Sequence, residues 1–121
     1  MRVLATVTLL FLFSCMTTSS STATLVDRDW HYVTNSDAKP SLRFTSTDVT
    51  GNTGCNQLSG TYTVEGDALT FGPLITTKRA CLGANPEQEF LRALEATRRW
   101  RVADHQLELL DGNGAVVARF R

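Results

Sequence analysis

The chain has 121 residues, with 12 Lys plus Arg against 12 Asp plus Glu, so its formal charge is zero. That length holds one domain, and the balanced charge excludes the basic field that binding to a nucleic-acid backbone requires. Hydrophobic residues at 42% and charged residues at 20% describe an ordinary folded globule, and three cysteines leave one over from any internal pairing.

Residues 1–14 read as a signal peptide. Met1-Arg2 is a short positive start, and Val3 to Phe13 is apolar apart from Thr6 and Thr8. At about 1.5 Å per residue, that run spans only about half of a ~30 Å bilayer core. A secretory signal fits better than a membrane span. The run ends in Leu12-Phe13-Ser14-Cys15, which resembles the bacterial lipobox. The resemblance implies a lipidated Cys15 as mature N-terminus, held in a leaflet by acyl chains at about 0.8 kcal/mol per buried CH₂. Met16 stands in place of an Asp, so the resemblance favours outer-membrane sorting. The alternative is ordinary cleavage near Ala23 and a soluble secreted or periplasmic domain. Thr17 to Thr24 reads TTSSSTAT, too polar to order itself, so residues 15–26 are expected to be a lipidated Cys and flexible tether. The domain is expected at 27–121.

Most of the domain reads as short strands with turn punctuation. Trp30, Tyr32 and Val33 suggest a first strand after Asp27-Arg28-Asp29, a charged entry turn. Leu42 and Phe44 alternate with Ser41, Arg43 and Thr45. Leu58, Gly60, Tyr62 and Val64 alternate with polar residues, a strong period-two pattern. Glu65-Gly66-Asp67 is a turn, and Leu69 and Phe71 return. Gly72-Pro73 is expected to break that strand, with Leu74 to Thr77 another short one. Then comes one helix: Asn85 as cap, Pro86 at the first position and Gln88 as capping-box partner. Phe90, Leu91, Ala93, Leu94 and Thr97 form its apolar stripe. Glu87 and Glu89 suit the positive end, and Arg98, Arg99 and Arg101 suit the other. A patch facing anionic lipid headgroups is the lesser alternative, since the chain is neutral and the helix-end role already accounts for these arginines. Leu107 and Leu109, the turn Asp111-Gly112-Asn113-Gly114, and Val116, Ala118 and Phe120 make a closing hairpin. The fold class is therefore mainly β with one helix (α+β), a curved sheet or partly open barrel with the helix packed on it.

With Cys15 assigned to lipidation, Cys55 and Cys81 make an even count in an oxidising compartment. A bridge would close a loop of about 26 residues and contribute about 3.5 kcal/mol on the chain-entropy model. Three other readings stay open: a zinc site drawn from Cys55, Cys81, His31 and His105, a thiol nucleophile, and two free thiols. The histidines read as surface residues, His31 beside Trp30 and His105 in the turn Ala103-Asp104-His105. No GxSxG, HExxH, P-loop or GxGxxG is present. Gly51, Gly54 and Asn56 read as positions that need positive φ around the bridge, or as a loop that shows backbone groups to a partner.

Gly51-x-x-Gly54-Cys55-Asn56-x-x-Ser59-Gly60-x-Tyr62 resembles the META domain. So do Leu69-x-Phe71-Gly72-Pro73-Leu74-x-Thr76-Thr77-x-x-Ala80-Cys81 and Glu87-Gln88-Glu89-Phe90-x-x-x-Leu94. Trp30, Trp100 and Leu107-Glu108-Leu109 complete a resemblance over about residues 27–120. It implies a lipocalin-like barrel or curved sheet with one helix, and kinship with HslJ-like heat-shock proteins of bacterial envelopes. It carries no catalytic residues, cofactor or metal. The expected function is a non-enzymatic envelope lipoprotein that supports stress tolerance, anchored in the membrane through Cys15, with an envelope protein or apolar ligand as partner. One alternative is a lipid carrier resembling a secretion pilotin, which requires an internal apolar cavity of roughly a few hundred Å³. Another is a disulfide-braced hydrolase inhibitor, which requires a rigid protrusion near Cys55 or Cys81. An enzyme would need His31 or His105 to converge on a carboxylate or thiol.

Alkylation under non-reducing, denaturing conditions is expected to label neither Cys55 nor Cys81. Labelling of both thiols would rule out the bridge.

Overall fold

The structure is a computed structural model that describes residues 11–12 and 24–121. Cys15 and most of the expected leader and tether lie outside the described residues. The last two tether residues belong to the domain instead: Leu25 is fully buried, and Val26 bridges to Phe44. Burying Leu25 beneath Trp30, whose indole N–H donates to the Leu25 carbonyl at 3.0 Å, outweighs the polar character of the residues before it. No helix among the described residues is long and apolar enough to cross a membrane.

Alternating side chains put one face of each strand inside. The elements run β1 (Asp29–His31), β2 (Ser41–Phe44), β3 (Asp48–Asn52), β4 (Gln57–Glu65), β5 (Ala68–Thr76), α1 (Glu87–Ala96), β6 (Arg99–Ala103), β7 (Gln106–Leu110) and β8 (Val116–Phe120). They form one sheet in chain order, each strand antiparallel to the next. The two edges meet. Tyr32 bridges to Phe120, and His31 and Arg121 exchange backbone hydrogen bonds of 2.8 Å each. Closure of this kind removes an exposed strand edge, the usual liability of an antiparallel sheet.

The barrel is filled by its own side chains. Trp30, Phe44, Phe90, Phe120, Leu69, Leu94, Leu107 and Leu109 are all fully buried. Phe90 and Leu94 come from α1, which packs on β8 and β5. Arg28 lies 4.0 Å from the centre of the Trp30 ring and covers it.

Asp48–Asn52 is a strand that alternation does not disclose, since it holds only one apolar residue, Val49. Three local expectations change. Gly72-Pro73 does not break β5. Gly60 faces Leu74 and Tyr62 faces Phe71, so β5 carries one extra residue there and bulges. Proline is tolerated because a bulge does not require its missing N–H. Asn85 accepts a hydrogen bond from the Glu87 N–H at 3.1 Å, but Pro86 stands at the cap position and the helix begins at Glu87. Arg99 and Arg101 belong to β6, not to the helix end. Arg98 alone serves that end, donating to the carbonyls of Glu95 at 2.9 Å and Thr97 at 2.7 Å.

Glu108 on β7 lies between Arg101 on β6 and Arg119 on β8, at 2.9 Å and 3.1 Å. The Arg101 hydrogen bond, with the charges of both arginines, holds the carboxyl below its ordinary range against the opposing effect of burial. A folded pKa below the unfolded one stabilises above the unfolded value and is lost as pH falls through the folded value. Glu108→Gln should therefore lower stability at pH 7 by about 0.2–1 kcal/mol, since both arginines are solvent-exposed. In urea titrations the gap between the two proteins should close toward pH 2. A gap that widens in acid would overturn this reading.

Candidate functional site

The Gly-Cys-Asn and Ala-Cys segments converge on one knot of polar groups between the β3–β4 loop, the segment after β5 and the start of α1. Asn56 is its centre and is buried. Its side-chain carbonyl accepts from the Thr77 hydroxyl at 2.9 Å and from the Arg79 N–H at 2.7 Å. Its amide donates to the Glu87 carboxylate at 2.9 Å and to the Arg79 carbonyl at 3.3 Å. Thr53, also fully buried, donates to the same Glu87 oxygen at 2.8 Å and accepts from the Asn56 backbone N–H at 2.9 Å. Among the described residues no buried side-chain nitrogen or oxygen lacks a partner. A fully connected buried network of this kind rigidifies the segments it joins.

A disulfide between Cys55 and Cys81 runs beside the knot, with Cα atoms 5.9 Å apart, inside the usual range. The two sulfurs and a Glu87 carboxylate oxygen lie within 4.8 Å of one another. Sulfurs joined in a disulfide have no thiolate to offer a metal. His31 and His105 do not belong to this group. His31 ties its backbone to Arg121, and His105 occupies the β6–β7 turn at φ 62°.

Of the glycines and asparagine expected at positive φ, only Gly54 has it, at 91°. Its N–H donates to the Asn52 side chain at 2.7 Å, and a Cβ there would press on Pro86 and Ala38. Gly51 is extended in β3 and is needed for a different reason: a Cβ would land on the Ser41 carbonyl of β2. Asn56 acts through its side chain, not through its backbone conformation. Gly60 lies opposite Leu74 beside the bulge, and Thr76 is half-buried at the end of β5. Thr77 accepts from the Gln57 N–H at 3.1 Å, while Ala80 is exposed. Tyr62 donates its hydroxyl to the Thr45 carbonyl, and burial with nearby Asp27 and Asp48 raises its pKa. Burial and Glu89 do the same to Tyr32, whose hydroxyl lies 3.3 Å from that carboxylate.

Thr53 and Glu87 are the members of the knot whose roles residue type and spacing do not disclose. Glu87 belongs to the family resemblance and supplies charge at a helix start, neither of which points to Asn56, and Thr53 is an unspecified position inside the glycine motif. The spacing Thr53-x-x-Asn56 is the one signal present, since a hydroxyl there can bond the backbone three residues on, as Thr53 does.

Two surface features adjoin the knot. Residues 78–80 and 82–84 are exposed, with Leu82 fully so. A groove of about 300 Å³ separates β5 from α1, lined in part by Phe71, Leu74, Leu91, Lys78 and Glu95.

The model of a family described as META domain matches residues 21–121. A solved structure described as the NMR structure of the protein from Burkholderia xenovorans is similar at 25% identity and TM-score 0.67, covering 82% of this chain and 83% of that one. A second, described as the NMR structure of the protein, is similar in fold at 17% identity and TM-score 0.64, covering 84% and 93%. No curated protein matches the chain.

Asn56→Asp tests the knot. The change replaces the amide that donates to Glu87 with a second carboxylate, and an unmatched buried polar group costs about 1–3 kcal/mol. Two facing carboxylates raise each other's pKa, so the loss should be largest at pH 7 and shrink toward pH 4. Chemical denaturation at both pH values reads this. An equal loss at both would overturn the Glu87 contact.

Proposed function

Because the chain belongs to the META domain family, we propose that it is a non-enzymatic, HslJ-like envelope lipoprotein that supports stress tolerance by binding a partner protein. In this reading Cys15 carries the acyl chains, and the domain stands off the periplasmic face of the outer membrane on a short tether. One observation carries the non-enzymatic part: the polar side chains of the family motif are engaged in bracing the fold. Both ends of the Asn56 amide are occupied, and Cys55 is joined to Cys81. Groups held this way have little freedom to act as nucleophile, base or ligand.

A protein partner is favoured over an apolar ligand because the barrel interior is occupied. Trp30, Phe44, Phe90 and Phe120 take the space that a carrier of the pilotin kind would leave for lipid. The hydrolase-inhibitor reading draws support from one feature, the exposed stretch around Leu82 held by the disulfide and by Asn56. It too is a protein-binding role.

Mass spectrometry of the mature protein from its bacterial host tests the anchoring. A diacyl or triacyl mass on Cys15 is expected, together with lower survival of a deletion strain under envelope stress. An unmodified N-terminus near Ala23 would replace the lipoprotein with a soluble secreted domain.

A further inference from the structure

β5 is paired along its whole length with β4, but β6 joins it only at its beginning. The contacts there are Ala68 opposite Arg99, the Leu69 N–H to the Arg98 carbonyl at 2.9 Å, and the Trp100 N–H to the Asp67 carbonyl at 2.9 Å. Among the described residues, no strand occupies that side of β5 beyond this point. The Thr77 N–H points to Gln57 of β4 at 3.1 Å, so by alternation the backbone groups of Thr76 and Leu74 point away from β4. Below the bulge the same alternation, counted from Leu69, turns Phe71 outward as well. Phe71, Leu74 and Thr76 all line the groove of about 300 Å³ between β5 and α1.

The far wall of the groove is the helix. The start of α1 is tied through Glu87 and Asn56 to Arg79, just past the end of β5. Its end leads through Arg98 to Leu69, near the beginning of β5. Helix and strand therefore run antiparallel, with a slot between them. Leu91 forms the middle of the helical wall, Lys78 stands at one end of the slot and Glu95 at the other.

We infer that this slot takes an extended polypeptide segment of a partner protein, added as a further antiparallel strand on the free edge of β5. The backbone groups at the edge require a backbone as their complement, which a lipid chain does not supply. Phe71, Leu74 and Leu91 offer alternate apolar contacts to its side chains. A strand antiparallel to β5 enters beside Lys78 and leaves beside Glu95. Its charges should therefore be acidic at the N-terminal end and basic at the C-terminal end. This deepens the proposed partner-binding role and rests on it, by naming the class of partner and the place it docks.

The test uses the full chain and the dye-labelled hexapeptide Asp-Thr-Val-Thr-Val-Lys. Saturable binding below about 1 mM by fluorescence anisotropy is expected. Hydrogen exchange at the Leu74 and Thr76 amides should slow about tenfold when the peptide is bound. The charge-swapped peptide Lys-Thr-Val-Thr-Val-Asp should bind several-fold more weakly. Glu95→Lys, an exposed change that leaves the fold intact, should narrow that preference. Equal binding of Asp-Thr-Pro-Thr-Pro-Lys, absent binding, or unprotected Leu74 and Thr76 amides would overturn the inference. An unlipidated N-terminus would overturn the anchoring and leave these measurements unchanged, so the two failures are distinguishable.

Discussion

A buried amide that must find every one of its partners holds this molecule together. Asn56 lies where three segments without strand pairing of their own come together: the β3–β4 loop, the stretch after β5, and the first turn of α1. Side-chain hydrogen bonds tie these segments to one another, and a low dielectric makes each missing one expensive. Glu87 is the link that matters most for the rest. By accepting from both Asn56 and Thr53 it sets where α1 begins. That start places Phe90 and Leu94 in the barrel, where Phe90 packs against Tyr32 and Phe120 near the closing seam. The disulfide works alongside, shortening the reach of the unfolded chain between the same two segments.

The amino-acid pattern disclosed the fold class because alternation survives wherever one face is buried. β4, β7 and β8 show it plainly. β3 does not, since Asp48, Thr50 and Asn52 frame a single apolar residue and Gly51 has no side chain to show. Its place comes from pairing on both sides, a tertiary effect that no local window contains. Gly72-Pro73 looks like a stop because proline lacks a donor, and the bulge opposite Thr61, which needs no N–H there, removes the objection. Arg99 and Arg101 stand only three and five residues past Ala96, near the helix boundary where local reasoning is weakest. The knot was half legible. The motif positions were visible as a group, but hydrogen bonds spanning 21 to 34 residues cannot be read from spacing.

The features that mark the family therefore serve position before chemistry. Glycines that admit neighbouring backbones, a paired set of cysteines and a saturated asparagine build a rigid frame, and the interior they enclose is filled. The proposed partner binding falls to the outside of the frame, where the strand edge beside α1 and the exposed stretch around Leu82 lie next to the braced segments. Surfaces fixed this firmly lose little freedom when a partner arrives.

The seam between residues 31–33 and 119–121 has a consequence for timing. Its two sides are separated by nearly the whole chain, so the ring of strands cannot close until residues 119–121 have been made. A chain that passes N-terminus first through a narrow channel keeps the two sides apart for the entire passage. Trp30 and Tyr32 would wait, with their final neighbours absent, until the far edge emerges. The arrangement that removes an exposed edge from the finished molecule is thus also a clock, one that postpones completion of the core to the end of synthesis or transit.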